Sequence, residues 1–168
     1  MKDAALALIK IKKETDFIPL YKTIHSLPFV KECTATRGDI DIFVKIQKTE
    51  NESCVSLFEK NIKTLEGISE ASIYNLISEE KVKEEIPSLL RSFVLTEIES
   101  GKLNDAAKSI KEEEFTESID IIDGKFNFLA VIRGDQFIQI DKFIINRIMH
   151  LDGIIKIKEY PVIDIYGN

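Results

Sequence analysis

The sequence predicts an α+β fold made of two tandem β-α-β-β-α-β units, and an internal repeat is the main reason. Gly38 and Gly124 are separated by the same 86 positions as Gly67 and Gly153, and apolar positions around them also match. The first strand matches only at a shift of 87, which indicates one residue of difference in the loop before the first helix. Paired glycines and apolar positions at a nearly constant shift indicate that one unit was duplicated.

The first unit carries the signals of four strands and two helices. Apolar-rich runs bounded by turn residues predict strands at residues 5–12, 30–37, 40–48 and 69–77. Asp16 is the expected cap of the first helix, Asn51 is the expected cap of the second, and Gly67 should end the second. A tight turn at Gly38-Asp39 should join the second and third strands into a hairpin.

The second unit repeats this order, so we predict domains at residues 1–78 and 92–168. Its strands are predicted at residues 92–99, 116–123, 125–133 and 154–164, and its helices at 102–113 and 136–150. Residues 79–91 are rich in charge, and we expect them to form a linker that is partly helical.

Alternation along the third strand of each unit predicts which side chains face the helices. The inward-facing residues should be Ile40, Ile42, Val44 and Ile46 in the first unit and Phe126, Phe128, Ala130 and Ile132 in the second. The opposite faces carry Phe43, Leu129 and Val131, which are too apolar to meet bare solvent. We therefore expect the two antiparallel sheets to pack face to face.

Composition limits the possible partners and cofactors. The 168 residues carry a net charge of −6, which argues against direct nucleic-acid binding, since that requires a concentrated basic face. No apolar run is long enough for a membrane span, so a membrane partner is not expected. Cys33 and Cys54 lack the spacing of a zinc site and are too few for a disulfide scaffold. We predict no metal, no cofactor and a cytoplasmic location.

Two stretches, "LPFVKECTATRGDIDIFVKI" and "IKTLEGISEASIYNLI", resemble the effector-binding domain of Lrp/AsnC transcription regulators, also called the RAM (regulation of amino-acid metabolism) domain. The positions that carry the resemblance are Leu27-Pro28, Val30, Gly38, Asp41 and Gly67. The second unit follows the pattern more loosely, with Asn127 in place of the Asp. The resemblance implies ferredoxin-like units, so the tandem chain would be a pseudo-dimer of the dimeric α/β-barrel type. A first strand near residue 5 leaves no room for the helix-turn-helix of the full regulators.

The resemblance implies a ligand site at the hairpin turn, formed by Arg37, Gly38, Asp39 and Asp41. A carboxylate there could hold the α-ammonium group of an amino acid, and turn N–H groups could hold its α-carboxylate. The alternative is structural: Asp39 shapes the turn, and Asp41 is a polar residue at a strand edge. A metal clamp is the least favoured interpretation, because two carboxylates without a further His or Asp nearby form an incomplete shell.

We therefore predict a stand-alone effector-binding or regulatory interaction module that binds a small molecule such as an amino acid. It would not be an enzyme, would have no catalytic residues, and would act by self-association or with a DNA-binding regulator. One alternative is an enzyme of the dimeric α/β-barrel group, which the absence of Trp and the positions of His25 and His150 disfavour. The other alternative is a pure assembly scaffold for a transcription regulator.

Overall fold

The structure is a computed structural model, and it describes residues 3–165. Among these, residues 3–76 together with 163–165 form one compact unit, and residues 77–162 form a second. Each unit contains four antiparallel strands and two main helices in the order β-α-β-β-α-β. The α+β class and the two tandem ferredoxin-like units predicted from the repeat are confirmed. Within the described residues, no helix is both long and apolar enough to cross a membrane.

The first unit is a four-stranded sheet with two helices. Its elements are β1 (Ala4–Ile11), α1 (Phe17–His25), β2 (Val30–Thr36), β3 (Ile42–Gln47), α2 (Cys54–Asn61) and β4 (Ile68–Lys81). The strand order is β4-β1-β3-β2, and every neighbouring pair is antiparallel. Ala7 lies at the centre of the sheet, opposite Val44 on one side and Ile73 on the other.

The core of the first unit lies between this sheet and its helices. Alternate residues of β1 and β3, such as Ile9 and Val44, pack against Ile24 of α1 and Phe58 of α2. All four are buried. The alternation predicted for β3 is confirmed, because Ile42, Val44 and Ile46 all belong to this core.

The second unit has the same order of elements. They are β5 (Leu90–Ile98), α3 (Leu103–Lys111), β6 (Thr116–Ile122), β7 (Phe128–Gly134), α4 (Phe137–Phe143) and β8 (Ile154–Ile163). A 3-10 turn, Ser100–Lys102, precedes α3, and a π-helical turn, Ile144–Ile148, continues α4. The pairs β5–β8, β5–β7 and β6–β7 are antiparallel, which gives the order β8-β5-β7-β6.

Several local predictions differ from the structure. The segment 79–91 contains no helix, because β4 continues to Lys81 and β5 begins at Leu90. The hairpin between β2 and β3 is a loop of residues 37–41 rather than a two-residue turn. Its Gly38 has φ 124°, a conformation that glycine adopts without strain.

The cap predictions also need correction. The cap of α2 is Ser53, whose hydroxyl accepts a hydrogen bond from the Ser56 N–H at 3.2 Å, and Asn51 lies outside the helix. Asp16 does occupy the cap position of α1, but its side chain makes no capping hydrogen bond. Phe126 is not in the core beside Phe128; it lies in the β6–β7 loop, 5.5 Å from the Lys158 ammonium.

Candidate functional site

The predicted ligand residues lie in one hairpin loop of the first unit. Arg37, Gly38 and Asp39 are exposed, and Asp41 is half-buried where the loop enters β3. The four predicted ligand residues therefore lie close together, as their positions in the sequence require. Arg37 and Asp39 flank the glycine, so the exposed part of the loop carries one cation and one anion.

Asp41 is held by three hydrogen bonds to neighbouring strands. Its N–H donates to the Ile9 carbonyl at 2.9 Å, and its carbonyl accepts from the Thr36 N–H at 2.9 Å. Its carboxylate oxygen Oδ2 accepts from the Ile11 N–H at 2.7 Å. These contacts fasten the loop to the end of β1. They favour a structural role for this side chain, because one carboxylate oxygen is already committed.

The two cysteines show no features of reactive thiols. Burial raises the pKa of the Cys33 thiol to about 12, with a smaller opposing effect from Tyr21, so the nucleophilic thiolate is scarce near neutral pH. Cys54 is buried at the start of α2, and burial raises the pKa of its thiol as well. Both are free. In residues 3–165, no group of three or more His, Cys, Asp or Glu side chains is arranged to hold a metal ion.

A second candidate site lies on the face of the second sheet that is turned away from α3 and α4, called here the helix-free face. Alternation along β5 and β7 places Phe93, Leu95, Leu129 and Val131 on this face, since Val94 and Ala130 pack with the helices. All four apolar residues are buried. Two of them, Leu129 and Val131, were expected from the sequence to be shielded from solvent.

Charged residues lie among these apolar side chains. Arg91 on β5 and Arg133 on β7 are directly opposite each other in the sheet. The β6–β7 register shifts between Thr116 and Ser118, which marks a β-bulge at Glu117. The Glu117 carboxylate oxygen Oε1 lies 3.5 Å from the Arg91 Nε. Glu117 is only 6% exposed and Arg91 is half-buried, so this ion pair is largely shielded from solvent.

The Arg91–Glu117 pair leaves polar atoms unused. The Arg91 Nε and the Glu117 Oε2 are both buried, and neither has a hydrogen-bond partner within the described part of the chain. Arg91 also donates from its Nη1 to the Glu85 carboxylate at 2.9 Å. Buried polar atoms are almost always hydrogen-bonded in native proteins, so two such atoms at one ion pair mark an unusual site.

The surroundings of Glu117 also alter the pKa of its carboxyl group. Burial raises its pKa, and the Arg91 charge opposes that effect. The nearby Glu85 raises the pKa further, whereas Arg133 and Lys81 lower it. The result is a carboxyl group that holds its proton to higher pH than an exposed glutamate, a property of groups that exchange protons in catalysis.

The segment predicted as a linker forms one wall of this site. The N–H groups of Val82 and Lys83 donate to the Glu117 carbonyl at 2.9 and 3.0 Å. Arg133 donates from its Nη1 to the Glu84 carbonyl, and the neighbouring Glu85 pairs with Arg91. One charge of the segment, the Glu85 carboxylate, therefore positions Arg91, and the Glu84 backbone carbonyl positions Arg133.

A second carboxyl group with a raised pKa lies on the helix-facing side of the same sheet. The Ser92 hydroxyl donates to the Glu159 Oε2 at 2.8 Å. Burial raises the pKa of Glu159, the Ser92 hydrogen bond lowers it, and both the charge of Asp141 and a hydrogen bond with it raise it. Sequence analysis found neither this pair nor the Arg91–Glu117 pair.

Several solved structures, some of them of enzymes, are similar to this chain in fold. The siroheme decarboxylase NirDL matches with a TM-score of 0.75 and 10% identity, over 96% of this chain and 71% of that one. A monooxygenase-like protein from Lactobacillus acidophilus has a TM-score of 0.60 and 10% identity, over 96% and 92%. A major regulator of staphylococcal pathogenesis has a TM-score of 0.51 and 11% identity, over 95% and 97%. No protein-family model and no curated protein matches the sequence.

These likenesses confirm the ferredoxin-like fold and are consistent with the dimeric α/β-barrel type. They overturn the prediction that the chain is not an enzyme, because proteins similar over nearly all of it include a decarboxylase and a monooxygenase-like protein. That prediction rested on the absence of Trp and the positions of two histidines. It overlooked Glu117, a buried carboxyl group that can serve acid–base chemistry without either residue. At about 10% identity the likeness establishes the fold, and the reaction has to be argued from the site.

Proposed function

We propose that the chain binds a carboxylate-bearing organic molecule on the helix-free face of the second unit and promotes proton transfer to or from it. The observation that carries this proposal is the Arg91–Glu117 pair, in which Arg91 Nε and Glu117 Oε2 lack hydrogen-bond partners in the described residues. In this proposal Arg91 orients the ligand and Glu117 exchanges the proton.

The chemistry of the two unused atoms suggests the ligand class. Arg91 Nε is a donor with a fixed positive charge, and it suits a carboxylate or another anionic oxygen. Glu117 Oε2 accepts a proton from a ligand O–H or N–H when ionised and donates one when protonated. A ligand that carries an anionic oxygen beside an exchangeable proton satisfies both atoms and offsets the cost of burying them.

The raised pKa of Glu117 supports the proton-transfer part of the proposal. General acid–base catalysis is most efficient when the pKa of the group approaches the working pH. Burial moves this carboxyl group in that direction, and the opposing charges of Arg91 and Arg133 keep the ionised form accessible. Both protonation states are then usable during one reaction cycle.

The relatives supply the first probe to test. One structure of NirDL, similar to this chain with a TM-score of 0.72 and 9% identity, contains an iron-uroporphyrin III analogue. Uroporphyrins carry several carboxylates, so this ligand belongs to the class that Arg91 would recognise. Iron-uroporphyrin III is therefore the first probe, and monocarboxylic aromatic acids are the second.

The test is binding of these probes, and proton transfer to or from them, by wild-type protein and matched variants. We expect a probe that raises the melting temperature of the wild type to do so much less in Arg91→Lys, since lysine lacks the guanidinium fork. Glu117→Gln should keep binding but lose proton transfer, measured by mass spectrometry as deuterium uptake by the bound probe in heavy water. Glu70→Gln, at an exposed carboxylate of β4, controls for the loss of one charge. Binding and proton transfer that persist in both site variants would refute the proposal.

The hairpin loop of the first unit supports a second candidate function, the binding of an amino-acid effector. Arg37 and Asp39 are exposed on either side of Gly38, so the loop presents groups of both signs that match the two charged ends of an amino acid. Such a module would share the effector-binding role of the Lrp/AsnC domains that the sequence resembles. It would act by self-association or with a DNA-binding regulator.

The two candidates are distinguished by variants that are far apart in sequence. A thermal shift produced by any of the twenty amino acids should be lost in Arg37→Ala if the loop is the site, and it should persist in Arg91→Lys. Loss of the shift in Arg91→Lys alone would assign the amino acid to the helix-free face. The absence of any amino-acid shift in the wild type would remove the effector candidate.

A further inference from the structure

The segment from α4 to the start of β8 exposes five large apolar side chains. Phe137 and Ile138 lie on α4, Ile145 on the π-helical turn, Met149 just after it and Ile155 on β8, and each is between 38% and 57% exposed. Ile138, Ile145 and Met149 are separated by seven and four positions, so they lie along one side of the helix. We call these five residues the apolar stripe. Large exposed apolar clusters are uncommon on monomeric proteins and mark interaction surfaces.

The first unit provides an internal control for this face. At the shift of 86, the positions of Ile138, Ile145, Met149 and Ile155 correspond to Glu52, Glu59, Lys63 and Ser69. Glu59 on α2 forms an exposed ion pair with Lys63 just after the helix, and Glu52 just before the helix pairs with Lys60. The same fold position in the same chain is therefore polar in one unit and apolar in the other.

The buried faces of the two helices show no such difference. Cys54, Leu57, Phe58 and Ile62 of the first unit correspond to Ile140, Phe143, Ile144 and Ile148 of the second, and all eight are buried. The change from polar to apolar residues is confined to the side that faces solvent. Core packing does not require it, and exposure of these side chains is unfavourable unless another molecule covers them.

We propose that a second copy of this chain covers the apolar stripe, with the two α4 helices packed antiparallel about a twofold axis. The stripe occurs once in each chain, so pairing closes at two copies and produces no polymer. Its five side chains expose an area on the order of 500 Å², and with a polar rim this approaches the roughly 800 Å² per partner of a standard interface.

Charge distribution along the helix favours pairing with a second copy in this orientation. Asp135 lies just before the N-terminal end of α4, whereas Lys142 lies further along, and both are exposed. Two other charges of this segment are engaged within the chain: Asp141 interacts with Glu159, and Arg147 pairs with Glu113. Antiparallel pairing places the acidic end of one helix beside the basic part of the other and opposes the two helix dipoles. Parallel pairing would place like charges together.

The test uses the substitutions that the first unit itself supplies. The quadruple variant Ile138→Glu, Ile145→Glu, Met149→Lys and Ile155→Ser gives four of the five stripe positions the residues of the first unit and leaves Phe137 in place. Sedimentation from low to high micromolar concentration should show a wild-type dimer and a monomeric variant, with the dissociation constant raised by about 100-fold or more. Val55→Glu, at an exposed apolar residue of α2, is the matched control and should remain a dimer.

A cross-linking experiment decides the question if the quadruple variant fails to fold. Ile145→Cys lies near the middle of the stripe, and mild oxidation should link two chains through it, whereas Ile18→Cys at an exposed position of α1 should not link. A wild-type chain that stays monomeric would overturn the proposal. So would a dimer that survives the four substitutions, or a monomer that binds phosphatidylcholine vesicles through the stripe.

Discussion

Asp41 and Asn127 occupy the same position in the two units and fasten the same strand ends. The Asp41 carboxylate accepts from the Ile11 N–H at 2.7 Å. The Asn127 side-chain amide accepts from the Ile98 N–H at 3.0 Å and donates to the Ile98 carbonyl at 2.8 Å. Each residue also donates its own N–H to the strand, at Ile9 or Thr96. Ile11 and Ile98 correspond at the shift of 87, so the duplicated units share this bond.

This shared hydrogen bond predicts that the main role of the Asp41 side chain is to stabilise the fold rather than to bind a ligand. Asp41→Ala leaves the Ile11 N–H without its partner, and we expect the free energy of unfolding to fall by about 1–3 kcal/mol. Asp41→Asn, which copies the second unit, should restore most of that loss, because the amide oxygen still accepts the bond. Urea unfolding followed by circular dichroism measures both. An Asp41→Ala variant as stable as the wild type would show that the bond is dispensable.

The corrected cap of α2 gives a second prediction. Ser53→Ala removes the hydroxyl that accepts from the Ser56 N–H, so the free energy of unfolding should fall by about 1 kcal/mol. Asn51→Ala is the matched control, because Asn51 is exposed and lies before the helix. It should change stability by less than about 0.5 kcal/mol. Equal losses from both substitutions would mean that the helix begins where the sequence alone suggested.

Gly67 supports a third prediction, because its backbone and its surroundings both exclude a side chain. Its φ is 97°, and a Cβ there would lie 2.6 Å from the Thr15 Cγ2. We expect Gly67→Ala to lower the free energy of unfolding by more than about 1 kcal/mol. Gly101→Ala is the control, since a Cβ at that position meets nothing within 4 Å. Thermal unfolding of the two variants should differ by several degrees, and equal melting temperatures would contradict the prediction.

The features that the sequence predicted are those set by local pattern. Alternation identifies strands because their side chains repeat every second residue, and the paired glycines identify the duplicated units. The prediction that Gly67 ends the second helix is wrong, because α2 ends at Asn61 and Gly67 directly precedes β4. The C-terminal part of β4 was not predicted, because the charged residues "SEEK" form an exposed strand whose sequence is typical of a loop. The cap of α2 is Ser53 rather than Asn51 because a helix that begins at Cys54 buries Cys54, Leu57 and Phe58.

The candidate site could not be predicted because it depends on contacts between distant residues. Arg91 and Glu117 are 26 positions apart and meet only through the register of β5, β6 and β7. The bulge that turns Glu117 toward Arg91 interrupts the alternation from which its direction would have been inferred. One sequence signal was present for Asp120, a charged residue between Ile119 and Ile121 on a strand whose side chains are mostly buried. Glu117 carried no such signal, because its neighbours are Thr116 and Ser118.

The final prediction concerns the dependence of stability on pH. The pKa of Glu159 is raised in the folded protein, chiefly by burial and further by Asp141, above its ordinary value of 4.5. The folded state therefore holds this proton more tightly than the unfolded chain does. The contribution of Glu159 to the free energy of unfolding falls as pH rises from 4.5 to the folded pKa, and it stays lower above that value.

Glu159→Gln removes the titration and should make the decline in stability above pH 4.5 shallower than in the wild type. Asp141→Asn should do the same in part, because it removes the neighbouring negative charge that opposes ionisation of Glu159. Urea unfolding at a series of pH values measures the slopes, and Glu70→Gln controls for the change in net charge. If Glu159→Gln left the slope unchanged or made it steeper, the carboxyl pair between α4 and β8 would not control stability in this range.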